Sequence, residues 1–147
     1  MVHVDYDASL ADPGVHVKTT TMSHQQTTLI FSKQTRDRGR GVFARRPIPA
    51  DTVIERVPVL VVPAAEMAAS GLASYAFSWG RGTVALALGY GSLYNHSYTP
   101  NACYQDVGRC TKQFVAIRDI AAGEEITVNY NGEPENRSAV GFEVREP

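Results

Sequence analysis

The chain has 147 residues, of which 44% are hydrophobic and 20% charged, and its formal net charge is −1. This length and composition predict one soluble globular domain with a hydrophobic core of its own. The near-neutral balance argues against binding of nucleic acid or anionic lipid through bulk charge, and no apolar run approaches the length of a membrane span.

The first 26 residues are polar, rich in threonine and without apolar periodicity, so we predict a flexible arm over residues 1–26. No basic-then-apolar signal pattern opens the sequence, which predicts a cytoplasmic protein, or a nuclear one if the source is a eukaryote. Cys103 and Cys110 have no metal-ligand spacing with each other or with the histidines. We therefore predict no metal site and two reduced, partly buried thiols.

From Thr27 onward, short apolar runs separated by Gly, Pro and Asn predict a compact, mostly β domain rather than a βαβ fold. Strands are predicted, in chain order, at residues 27–33, 42–44, 52–62, 73–79, 83–88, 102–107, 110–117 and 126–130. Pro58 lies inside the third run and predicts a break or a sheet edge there. The clearest helical segment is residues 64–70, which begins after Pro63 and ends before Gly71.

Five arginines surround Gly39 and Gly41 in the segment RDRGRGVFARR, residues 36–46. Glycines let a ligand approach the backbone closely, and guanidinium groups bind carboxylates or phosphates. The segment contains no GxxxxGK[ST] phosphate-binding loop, and no helix follows it as in a dinucleotide-binding loop. A solvated basic turn before a strand explains the same residues, so this segment alone leaves both interpretations open.

Polar residues interrupt the apolar sequence at NHSYTPN, residues 95–101. Asparagine amides and the His96 imidazole offer donors and acceptors to a polar ligand, and Pro100 restricts the loop. The alternative is an Asx-type turn with a buried, hydrogen-bonded His96. Ser97 is not predicted to be a nucleophile, because no GxSxG motif surrounds it.

The segment GEEITVNY, residues 123–130, turns at Gly123 and continues as an alternating strand to Tyr130. At a turn, Glu124 and Glu125 are more simply interpreted as solvated carboxylates than as an acid or a base. A tyrosine at a strand end is usually half-buried packing. This segment therefore does not identify a site by itself.

Together, GRGVFA, NHSYTPN and GEEITVNY, in this order and at these separations, resemble the SET domain of protein lysine methyltransferases. The resemblance covers residues 27–132, and the middle motif is the most specific of the three. It implies a mostly β, SET-domain (β-clip-like) fold with few short helices and a C-terminal pseudo-knot, which brings residues 95–101 beside residues 126–130. We accordingly predict a SET domain at residues 27–133 and a C-terminal tail at residues 134–147.

This resemblance also implies methyl transfer from S-adenosylmethionine to the side-chain amine of a lysine in a protein substrate. The residues that it implies for the cofactor site are Gly39, Arg40, Gly41, Asn95 and His96. Tyr130 corresponds to the terminal tyrosine beside the transferred methyl group and is the predicted catalytic residue. Aromatic chemistry adds four candidates for the lysine channel and its lid: Tyr75, Phe77, Tyr94 and Phe142.

The chain departs from the family pattern at two positions and at its C-terminal end. Tyr98 stands where cysteine is common, and Asn129 stands where an acidic residue is common. Residues 131–147 contain no cysteine, whereas many relatives close the lysine channel with a cysteine-rich zinc segment. We expect the tail, or the second subunit of a homodimer, to supply that closure.

These departures keep two other hypotheses open. One is a non-catalytic protein-interaction module that retains the SET fold. The other, weaker because the chain is nearly neutral, is an acidic-ligand or nucleic-acid binder that uses residues 36–46.

Overall fold

The computed structural model describes residues 27–147, so the predicted arm at residues 1–26 lies outside the described residues. The strands are β1 (Ile30–Gln34), β2 (Arg40–Ala44), β3 (Val53–Pro63), β4 (Ala76–Ser78), β5 (Thr83–Ala87), β6 (Asn95–His96), β7 (Ala102–Val107), β8 (Thr111–Ala116) and β9 (Glu125–Val128). The helix α1 (Ala64–Ala68) and the 3₁₀ turns Ala73–Tyr75 and Gly91–Leu93 complete these elements. In this part of the chain no helix is long and apolar enough to cross a membrane. The mostly β prediction is confirmed.

One sheet has the strand order β1-β2-β9-β6. β1 pairs with β2 and β2 with β9 in antiparallel fashion, whereas β6 runs parallel to β9. That parallel pairing sets Asn95 opposite Thr127 and His96 opposite Val128. Two segments that are far apart in the sequence therefore meet as neighbouring strands, and the polar NHS motif forms the edge of the sheet.

Pro58 lies where β3 changes its hydrogen-bonded partner in the second sheet, whose order is β4-β5-β3-β8-β7. Residues 53–58 pair with β8, and residues 59–63 pair with β5. A proline has no N–H group to donate. Because Pro58 lies where the partner changes, neither ladder loses a hydrogen bond. The strand β3 continues through Pro58, but its pairing is interrupted there, and each half of the strand pairs with one neighbour.

The second sheet is strongly curved, so side chains of its two edge strands, β4 and β7, contact each other. Phe77 of β4 and Tyr104 of β7 have ring centroids 4.9 Å apart, and each ring lies 6.3 Å from that of Phe114 on β8. The single strand predicted at residues 73–79 is wrong in part, because only residues 76–78 find partners on β5. The residues before them form the 3₁₀ turn.

The core is one cluster of buried apolar side chains drawn from both sheets. Val42 and Ile126 belong to the first sheet, and Ile54 and Phe114 to the second. Each buried side chain of this kind contributes about 1.5–3 kcal/mol to stability. The shared core fixes the two sheets against each other and so positions the polar residues where β6 meets β9.

Candidate active site

The segment that follows β6 is held to β9 by the side chain of Asn101, which is 2% exposed. The Asn101 amide nitrogen donates to the backbone oxygen of Glu125 at 2.8 Å and to the Glu124 carboxylate at 2.9 Å. Its amide oxygen accepts from the backbone N–H of Thr127 at 2.9 Å. This part of the polar motif therefore supplies bonds that hold together two segments distant in sequence.

Tyr130 follows β9 and is held at both ends. The Tyr130 hydroxyl donates to the backbone oxygen of Tyr94 at 2.8 Å, and the Tyr130 backbone N–H donates to His96 Nδ1 at 3.1 Å. Tyr130 as a whole is 40% exposed, but desolvation around its bonded hydroxyl raises the pKa of Tyr130 to about 12, with further contributions from Tyr104, Tyr75 and Glu125. At neutral pH the phenol is consequently uncharged and remains a hydrogen-bond donor.

Two cavities share Tyr130 as a lining residue. The larger, about 390 Å³, includes the aromatic side chains of Tyr75, Phe77, Tyr94 and Tyr104 in its wall beside polar residues. The smaller, about 360 Å³, is lined by Asp37, Arg38, Asn95, His96, Tyr130 and tail residues 142–145. One side chain that faces two cavities suits a reaction in which a group passes between two bound molecules.

Phe142 is separated from the three aromatic residues with which it was predicted. Tyr75, Phe77 and Tyr94 line the larger cavity, whereas Phe142 lines the smaller one. The Phe142 ring centroid lies 6.0 Å from that of His96 and 6.1 Å from that of Tyr130. Since the aromatic strand and the tail approach Tyr130 from different cavities, Phe142 does not join the predicted channel.

The tail is fastened beside the NHS motif by Glu146. This carboxylate accepts hydrogen bonds from the Ser97 hydroxyl and, at 3.1 Å, from the backbone N–H of Tyr98. Arg145 adds an exposed ion pair with Asp37 at 3.3 Å. These contacts hold residues 142–145 against the smaller cavity.

The glycine-rich segment lines the smaller cavity with Asp37 and Arg38. Its residues 39–41, which were predicted for the cofactor site, are not among the lining residues. The Arg38 guanidinium forms an ion pair with Glu125, and their side chains are 14% and 6% exposed. Asn95 Nδ2 also donates to Glu125, at 2.8 Å. No feature of the sequence distinguishes Arg38 from the other arginines of the segment.

Two buried donors at the smaller cavity have no acceptor among the described residues: Arg38 Nη1 and His96 Nε2. Because His96 Nδ1 accepts from Tyr130, the proton of a neutral imidazole belongs on Nε2. Burial lowers the pKa of His96, against an opposing contribution from Glu146, so the neutral form prevails at neutral pH. An unpaired buried donor is costly, and a ligand with acceptor atoms would remove that cost.

Gly41 is the position of this segment where a side chain has no room. A Cβ there would lie 2.6 Å from Glu125 Oε1 and 3.0 Å from Asn95 Nδ2. Nothing lies within 4 Å of a Cβ at Gly39. The absence of a side chain at Gly41 thus permits the contact between Asn95 and Glu125.

Gly41→Ala is expected to destabilise the protein by about 1–3 kcal/mol, because the methyl group forces Glu125 and Asn95 apart. Urea unfolding would measure the loss. Gly71→Ala is the matched control, since nothing lies within 4 Å of a Cβ there. Equal stabilities of the two variants would contradict the close approach at Gly41.

Comparison with known proteins gives an independent view of the same residues. A family model described as the SET domain matches residues 39–131, a range that contains Asn95, His96 and Tyr130. A relative from Schizosaccharomyces pombe, a histone-lysine N-methyltransferase specific for H3 lysine-37, is 38% identical over 103 residues, which cover 67% of this chain and 70% of that protein. Among solved structures, a Plasmodium falciparum protein assigned as a histone methyltransferase is similar with a TM-score of 0.60 and 29% identity, over 72% of this chain and 94% of that one.

Proposed function

Because this chain belongs to the SET-domain family and is a protein-lysine N-methyltransferase, we propose that its smaller cavity binds S-adenosylmethionine and its larger cavity receives the substrate lysine. Use of this methyl donor is a general property of the family. The observation that carries the assignment of the cavities is that Tyr130 lines both. The two reactants would then meet at one side chain.

S-adenosylmethionine, when bound, supplies a methyl group on a positively charged sulfur. The chain's own task is to align a neutral lysine amine with that methyl group and to exclude water. Lysine normally titrates near ~10.4, and burial between aromatic walls lowers the pKa of the amine. The uncharged Tyr130 phenol adds no negative charge that would keep the amine protonated.

Neither glutamate of the GEEITVNY segment is available as a catalytic base. Glu125 is bound by Arg38 and by Asn95. Glu124 accepts from Arg118, from Asn101 and from the backbone N–H of Ala121. Deprotonation of the lysine therefore rests on the environment of the larger cavity rather than on either of these two glutamates.

The two unpaired donors support the choice of the smaller cavity for the cofactor. Arg38 Nη1 is suited to the carboxylate of the amino-acid portion, because guanidinium–carboxylate bonds are the stronger, charge-assisted kind. His96 Nε2 offers a neutral donor to another acceptor atom of the cofactor. Asn95 and the backbone of residues 39–41, predicted as cofactor contacts, adjoin these donors in the fold.

Calorimetric titration with S-adenosylmethionine tests this placement. We expect one site per chain and an affinity at least about tenfold lower in Arg38→Gln, because a charge-assisted bond is lost. Arg36→Gln removes an exposed arginine two residues away that does not line the cavity, and it is expected to bind normally. No binding by the wild-type protein, or equal losses in both variants, would contradict the assignment.

We extend the proposal to histones as the protein substrate, since both named relatives are described as histone methyltransferases. Transfer of labelled methyl groups to recombinant histone H3 would test it, with the other core histones assayed in parallel. Stable binding of a histone without any methyl transfer would favour the non-catalytic module instead.

Three finer features belong to the same proposal. The pseudo-knot is supported by the parallel pairing of β6 with β9 and by the return of the tail to Ser97 through Glu146. A homodimer is supported by the position of tail residues 142–145, which line only the smaller of the two cavities and leave the larger to be closed by another surface. Placement in the cytoplasm, or in a eukaryotic nucleus, stays a prediction.

A further inference from the structure

Lys112 of β8 is a buried lysine inside the curled sheet, with a side chain only 2% exposed. Its Nζ atom lies 4.4 Å from the ring centroid of Phe77, 4.6 Å from that of Tyr104 and 5.2 Å from that of Trp79. Asp106 of the neighbouring strand forms an ion pair with it. Aromatic faces within about 6 Å attract a cation, so three rings and one carboxylate form a cage around this ammonium group.

The Lys112 cage belongs to the wall of the larger cavity. Phe77, Tyr104, Asp106 and Lys112 all line that cavity together with Tyr130. Tyr104 joins the cage to the catalytic residue, because its hydroxyl donates to the Tyr130 backbone oxygen at 3.2 Å. The Lys112 ammonium group and its ion pair with Asp106 therefore form part of the wall of the cavity proposed for the substrate lysine.

Packing alone does not account for a lysine at this position. Residues 112 and 114 point to the same face of β8, and Phe114 fills the inside of the curl with an apolar ring. An apolar side chain at 112 would pack there without the cost of removing an ammonium group from water. The positive charge of Lys112 therefore indicates a function other than packing.

We propose that Lys112 is a specificity-determining residue, which makes the larger cavity receive the substrate lysine as a neutral amine rather than as a cation; this inference rests on the function proposed above. A cation that enters meets a like charge and three rings already engaged by Lys112. A neutral amine is not repelled by Lys112 and does not need those rings for binding. The bound lysine therefore loses its proton more readily. A methylated, cationic product is disfavoured in the same way.

The other titratable groups that face this cavity do not account for such an effect. They are Asp106 and the tyrosines Tyr75, Tyr94, Tyr104 and Tyr130. Burial raises the pKa of Tyr94, Tyr104 and Tyr130 above the ordinary phenol value, with Asp106 and Glu133 adding to the rise at Tyr104. The pKa of His96, at the smaller cavity, is lowered by burial.

The dependence of kcat on pH, measured with recombinant histone H3, tests the sign of the effect. Lys112→Met removes the positive charge, so we expect the pH midpoint to rise by about half a unit or more. Asp106→Asn removes the balancing negative charge, and the midpoint is expected to fall. Shifts in the same direction, or no shift in either variant, would overturn the proposal.

Lys33→Met is the matched control for that experiment. Lys33 Nζ also lies over a ring, 4.1 Å from the centroid of Phe43, but this residue lines neither cavity. The substitution makes the same change of charge, and we expect it to leave the pH midpoint unchanged. A midpoint that rises equally in Lys33→Met and Lys112→Met would mean that overall charge, not the cage, sets it, and that would refute the proposal.

A second experiment needs no protein substrate. Trp79 is the single tryptophan of the chain and lies in the cage, so its fluorescence reports on cage occupancy. Tetramethylammonium is expected to change the emission of Lys112→Ala with at least about tenfold higher affinity than that of the wild-type protein, because the vacated rings accept the added cation. If Lys112→Ala and the wild-type protein are both folded and bind tetramethylammonium equally, Lys112 does not occupy the cage and the proposal is refuted. This outcome does not depend on whether the wild-type protein methylates histone H3.

Asp106→Asn gives this experiment a second variant if Lys112→Ala does not fold, since the Asp106 side chain is 47% exposed. In Asp106→Asn, Lys112 remains in the cage without its ion-pair partner. We expect tetramethylammonium to bind this variant more weakly than it binds the wild-type protein. Tighter binding to Asp106→Asn would contradict the proposed repulsion.

Discussion

Tyr130→Phe is expected to lower the rate of methyl transfer at least about 100-fold, the size of effect seen when one positioned hydrogen-bond donor is removed from an active site. The substitution deletes the hydroxyl that donates to the Tyr94 backbone oxygen at 2.8 Å. The ring keeps its neighbours His96 and Phe142, at centroid distances of 5.2 and 6.1 Å. Alignment should therefore be lost while the fold and the cofactor cavity remain.

Single-turnover transfer of labelled methyl groups to histone H3 would measure the rate, and calorimetry would measure the affinity for S-adenosylmethionine. Tyr98→Phe is the matched control, since the Tyr98 hydroxyl donates to the Ser138 backbone oxygen at 3.2 Å, in an exposed contact outside both cavities. An unchanged rate in Tyr130→Phe would remove this residue from the mechanism. A parallel loss of affinity and thermal stability would instead assign it a structural role.

Asn101→Ala is expected to destabilise the protein by about 3–5 kcal/mol, because it breaks three hydrogen bonds of a buried side chain at once. Two of these bonds reach backbone groups of Glu125 and Thr127 on β9. Once they are lost, the segment after β6 is no longer held to that strand. We therefore expect weaker cofactor binding as a second consequence.

Urea unfolding, followed by circular dichroism, would give the change in the free energy of unfolding. Asn131→Ala serves as the control, because the Asn131 side chain makes its bond to the Ser138 backbone oxygen, at 2.7 Å, in an exposed region. We expect that variant to lose about 1 kcal/mol or less. If Asn101→Ala loses no more than the control, the side chain does not hold the two segments together.

The polar motif combines two physical roles that its sequence does not separate. Asn101 fills its hydrogen bonds within the fold, whereas His96, like Arg38 of the glycine-rich segment, leaves one buried donor without an acceptor among the described residues. All three side chains are buried or nearly buried, so burial alone does not distinguish their roles. Their hydrogen-bond partners distinguish them. A buried amide with all its hydrogen bonds made stabilises the fold, whereas a buried donor without a partner can still bond an acceptor.

The sequence by itself determined the mostly β character of the domain, most of its strands and the family to which it belongs. Alternating apolar residues and the glycine, proline and asparagine breaks act locally, so they can be interpreted without coordinates. The order and separation of the three motifs pointed to Asn95, His96 and Tyr130, which meet where β6 adjoins the end of β9.

Only the tertiary structure decided which arginine lines the smaller cavity, on which side of Tyr130 the tail lies, and that Lys112 is buried. In the strand TKQFVA, alternation places Lys112 on the face of Phe114 and Ala116, and nothing local explains a lysine on that apolar face. The curl of the sheet brings Phe77 and Tyr104 together over it from opposite edges. A two-residue period fixes which side chains share a face of a strand, but the curvature that covers that face depends on contacts between residues far apart in the chain.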